Sequence, residues 1–112
     1  MLTGCALAGC TAQPPPPRDA LAGSYVYVSE DPENRATDHE WDRLTLQADG
    51  RYELVQGGST TARSEQIGLW RLSGTEPLEV LLDHAGYPVS VKQGEVRLLV
   101  DDDVGIWYAK AK

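Results

Sequence analysis

Residues 44–54 read Leu44-Thr45-Leu46-Gln47-Ala48-Asp49-Gly50-Arg51-Tyr52-Glu53-Leu54. Apolar side chains alternate with polar ones on both sides of Asp49-Gly50, a dipeptide suited to the positive φ of a tight turn. Two alternating runs around such a pair form the strongest short-range signal for a β-hairpin. The same period of two continues in both directions, with Gly, Asp, Ser and Pro as punctuation. Strands are expected at 24–29, 41–47, 51–56, 65–72, 78–83, 87–92, 96–100 and 105–110. Ser73-Gly74, Ala85-Gly86 and Gln93-Gly94 mark further turns, and Pro88 suits a strand edge or start. No stretch carries a convincing helical stripe.

Eight short strands at 8–12-residue spacing predict an all-β, antiparallel up-and-down meander closing into a small barrel. An open half-barrel or sandwich is the alternative. Alternation gathers Leu44 and Leu46, Tyr52 and Leu54, Val80 and Leu82, Val89 and Val91, and Val96, Leu98 and Val100. Trp70 and Trp107 are large enough to fill the centre. One domain is all that 112 residues allow. Seventeen acidic against ten basic residues give a net charge of −7, which argues against nucleic acid as a partner.

Ahead of the strands the chain has a different character. Met1 to Gly9 are small or apolar and uncharged, as in the apolar part of a secretory signal. Leu7-Ala8-Gly9-Cys10 resembles the bacterial lipobox, whose signal is cut before a Cys that then takes a diacylglyceryl group. The resemblance implies a signal remnant over 1–9, a lipidated Cys10 with a Pro-rich linker to residue 22, and a domain over 23–110. No Lys or Arg precedes Leu7, so the true start is expected upstream of Met1. Cys5 and Cys10 are the two cysteines, and processing would leave no free thiol. Thr11, rather than Asp, follows Cys10. In Gram-negative cells this favours the outer membrane, with the barrel in the periplasm. Pro14 to Pro17 would act as a stiff spacer.

A second resemblance runs through the domain. Gly23-Ser24-Tyr25, Leu44-Thr45-Leu46, residues 49–54, Gly68-Leu69-Trp70 and residues 105–110 look like the small lipocalin-like lipoproteins of bacterial envelopes. The N-terminal domain of the copper-resistance and envelope-stress lipoprotein is similar in style, but its Cys-x-x-Cys has no counterpart in residues 30–40. Copper and redox chemistry are therefore not carried over.

Acidity is concentrated in two places. Residues 30–42 hold six acids and one arginine, and Asp101–Asp103 add three acids. In a closed meander, the connections at 30–40, 57–64, 83–86 and 101–104 share one end, and closure sets the two acidic loops side by side. His39 and His84 are expected on the same rim. The candidate binding residues are Trp41, Asp38, His39, Glu40, Asp101 and Asp103. Their carboxylates suit either a basic protein surface or a hard divalent cation. The plainer reading is a solvated acidic face. No nucleophile elbow, metalloprotease spacing or phosphate loop occurs, and Gly57-Gly58-Ser59-Thr60-Thr61 reads as a flexible loop. A monomeric, non-catalytic interaction module without a cofactor is the expectation. The alternative is a carrier or sensor of a small apolar ligand or divalent metal.

Overall fold

The computed structural model describes residues 17–111. It is an all-β, nearly closed barrel of nine antiparallel strands: β1 Gly23–Ser29, β2 Arg43–Leu46, β3 Arg51–Gly58, β4 Thr61–Leu69, β5 Arg71–Ser73, β6 Glu79–Leu81, β7 Gly86–Lys92, β8 Glu95–Asp101 and β9 Ile106–Lys110. A single helical turn, α1 (Arg18–Leu21), precedes them. The lateral order is β4-β3-β2-β1-β9-β8-β7-β6-β5.

The hairpin that decided the fold is present in register. Leu44 faces Leu54 and Leu46 faces Tyr52, and all four are buried. Gly50 has φ +99°, in the region that favours glycine, and its N–H donates to the Gln47 carbonyl at 3.0 Å. From this pair the core extends through Tyr25, Val80, Leu82, Tyr87, Leu98 and Tyr108. Tyr27, Tyr108 and Tyr87 form an edge-to-face series, with centroids 5.9 and 6.0 Å apart.

The expected strand 65–72 is broken at Trp70. Its first part starts earlier, at Thr61, and pairs with β3; beyond Trp70, Arg71–Ser73 pair with β6. Thus β4 and β5, the two outermost members of the sheet, are successive pieces of one bent strand, and the barrel closes through this bend rather than through a ladder. Trp70 holds the bend in place. Its backbone N–H donates to the Gly50 carbonyl and its Nε1 to the Gln47 carbonyl, both at 2.8 Å, while the Arg18 guanidinium lies 3.9 Å from the ring centre.

The domain also begins before residue 23. Leu21 is fully buried, and its carbonyl accepts a 2.6 Å hydrogen bond from the Tyr25 hydroxyl. Residues 18–21 therefore close the barrel end at which β1 starts, although they lie in the stretch expected as linker. Trp107 differs as well. It shares β9 with the inward-facing Tyr108, so alternation turns it outward, between Val28 and Leu99 and beneath Arg97 at 4.3 Å. It covers the sheet instead of filling the centre. Pro88 lies inside β7, flanked by β6 and β8, but the β7–β8 ladder begins only at Val89. The missing donor therefore falls beyond the ladder's end.

Candidate interaction surface

At the far end from α1, the chain leaves β1 and runs through residues 30–42 before entering β2. This segment is tightly tied. The Asp31 carboxylate accepts the Glu33 N–H at 2.9 Å, and the Asn34 amide donates to the Tyr27 hydroxyl at 2.8 Å and to Ser29 Oγ at 3.0 Å. A 3-10 turn follows at Ala36–Asp38. The next residues lie against the tip of the β3–β4 hairpin. The Asp38 carboxylate accepts from the Thr60 and Thr61 hydroxyls, and the Glu40 carboxylate accepts from Ser59 through both its hydroxyl and its N–H. These hydroxyl and amide donors hold both carboxyls below the usual carboxylate range.

Beneath them sits a buried acid that sequence reasoning missed. Asp42 is 5% exposed. One of its carboxylate oxygens accepts the Gly57 N–H at 2.7 Å, and the other lies 2.8 Å from His39 Nδ1. The His39 ring stacks on Tyr27, with centroids 4.2 Å apart and planes 15° from parallel. His39 is thereby a strut between the loop and the barrel. A signal for Asp42 was present: it shares the inward parity of Leu44 and Leu46.

Gly57 and Gly58 do not form a flexible loop; they end β3, and residues 59–60 make a tight turn. A bulge falls between Gln56 and Gly58. A Cβ on Gly58 would collide with the Thr37 carbonyl oxygen, so glycine is what allows the acidic loop to approach this closely. The Trp41 N–H donates to the Gly57 carbonyl at 2.9 Å, while its side chain is 45% exposed. A partly exposed tryptophan is thus held by its backbone between Glu40 and Asp42 in the acidic segment.

Asp101 and Asp103 lie on the exposed β8–β9 turn, where the Asp101 carboxylate accepts the Asp103 N–H at 3.2 Å. The Glu30 N–H donates to the Gly105 carbonyl at 2.8 Å, so the two acidic stretches are neighbours, as closure between β1 and β9 requires. The 82–85 turn, which carries His84, does not join the β3–β4 tip. β6 has three residues, and Asp83, next to His84, accepts the Tyr52 hydroxyl at 3.3 Å and crowds Gly68. Those partners are at the Gly50 end of the β3–β4 ladder, about 20 Å along the strands from the Ser59–Thr60 tip.

Trp41, Asp38, His39 and Glu40 therefore belong to one continuous structure, with Asp101 and Asp103 on the adjoining turn. Among the described residues, no three His, Cys, Asp or Glu side chains converge as a metal site, and no helix is long and apolar enough to cross a membrane. Cys10 lies outside the described residues. No protein-family model, curated protein or solved structure matches the chain.

Proposed function

We propose that this protein is a non-catalytic interaction module of the bacterial envelope, anchored through a lipidated Cys10, whose acidic rim receives a basic protein surface. The observation that carries the reading is Trp41. An exposed aromatic residue on an ordered backbone, within an acidic loop, fits a binding anchor in a complementary charged rim. The described chain enters the barrel at α1, opposite this rim, so a tether at Cys10 would leave the acids accessible. The motif Leu7-Ala8-Gly9-Cys10 supports the anchor, and the small barrel suits the lipocalin-like lipoproteins that the sequence resembles.

Native mass spectrometry of the protein, extracted gently from its own membrane after expression with the upstream codons, tests both parts. The expected species carries an acyl mass at Cys10 and retains a protein partner. That retention falls with added salt and is lost in Trp41→Ala. An unmodified Cys10 would overturn the anchor, and retention insensitive to both salt and Trp41→Ala would overturn the interface.

A further inference from the structure

We infer that two copies of this chain pair antiparallel along β4. This strand occupies one end of the lateral order and pairs with β3 alone. Thr61 to Ile67 are all exposed, on both faces, and Ile67 and Leu69 are 78% and 66% exposed. Beyond Thr61, whose hydroxyl donates to Asp38, no element of the described chain folds over them. An uncovered nine-residue strand without proline or lysine is an open template for another strand.

The hydrogen-bonding parity shows which groups are unused. The Trp70 N–H donates to the Gly50 carbonyl, and the ladder sets Arg51 opposite Leu69. Residues 64, 66 and 68 therefore direct their backbone groups toward β3, while 63, 65, 67 and 69 direct theirs to the free edge. A twofold partner must pair these odd positions with one another.

Charge selects the register and the occupant. Centring the twofold on Ser64 sets Arg63 of each copy opposite Glu65 of the other, and Thr61 opposite Ile67. Centring it on Glu65 would oppose the two glutamates, and like charges directly opposed destabilise a sheet. In the single chain Arg63 Nε and Glu65 Oε2 are 2.7 Å apart, and both side chains are more than half exposed. They are therefore free to exchange into a four-member cluster across the pair. Because each copy supplies both signs in an order that reads correctly in reverse, the strand is complementary to itself.

The test uses the full 112-residue chain with Cys5→Ser and Cys10→Ser, which removes both native thiols. Sedimentation velocity over a concentration series should show a monomer–dimer equilibrium. Arg63→Glu or Glu65→Arg should each raise the dimer Kd about tenfold, and the double exchange should restore it. Ser64→Cys, placed at the twofold, should oxidise to a covalent dimer, whereas Gln66→Cys should not. Amide exchange at Glu65 and Ile67 should slow as concentration rises. A monomer at every concentration overturns the pairing, as does a dimer indifferent to both reversals. Protection of these amides independent of concentration also overturns it, by showing that the edge is covered from within the same chain.

Discussion

Two buried tryptophans of equal size do different work, and the difference lies in one nitrogen. Trp70 Nε1 donates to the Gln47 carbonyl, whereas Trp107 Nε1 is buried and finds no hydrogen-bond partner among the described residues. Trp70→Phe gives up that bond, although the Gln47 carbonyl keeps the Gly50 N–H, while removing an unpartnered donor relieves a desolvation cost. Trp70→Phe should therefore destabilise the fold by about 2 kcal/mol, and Trp107→Phe by about 1 kcal/mol or less, in urea unfolding. Equal losses would show that ring volume alone matters at both sites. The sequence could not separate the two residues. Ile106-Trp107-Tyr108-Ala109 is apolar at every position, so alternation does not say which parity faces inward. At Leu44 and Leu46 polar neighbours settle the matter, and the core there was read correctly.

At the scale of elements, legibility followed the chemistry of the turns. Asp49-Gly50 declared its hairpin because the turn itself needs a positive φ. Gly57-Gly58 serves a tertiary contact instead, the close approach of the Thr37 carbonyl, and nothing local announces that. The same gap hid the partners of Asp42, though not its inward parity: one comes from 15 residues further on and the other is His39. A paired substitution separates backbone conformation from contact. Gly94 has φ +80° with open space around it, so Gly94→Ala should cost roughly 1 kcal/mol from the left-handed conformation alone. Gly58 carries no positive φ, yet Gly58→Ala should cost about 1–3 kcal/mol by pushing the Thr37 carbonyl aside. It should also shift the His39 ring resonances in NMR spectra as the stack on Tyr27 loosens. Unchanged His39 resonances would mean that the loop does not depend on this approach.

For the whole molecule, closure rests on a bend that no local pattern marks, because residues 65–72 read as one strand. Once Trp70 turns that strand from β3 to β6, the 82–85 turn sets Asp83 against Tyr52 and Gly68, away from the β3–β4 tip on which Asp38 and Glu40 rest. Inside, tyrosine supplies most of the aromatic filling, and this makes the fold sensitive to alkali. Burial pushes the Tyr25 and Tyr108 phenols far above their ordinary value, and the nearby Asp42 adds to the effect on Tyr108. The folded state keeps these protons at pH values where the unfolded chain has lost them. Their contribution is therefore complete below about pH 10 and declines as pH rises beyond it. Absorbance at the phenolate band should show Tyr25 and Tyr108 ionising together with the loss of near-ultraviolet circular dichroism, in one cooperative step. Stepwise ionisation with the dichroism intact would mean that water reaches the barrel interior without unfolding, and that the tyrosine series does not seal the core.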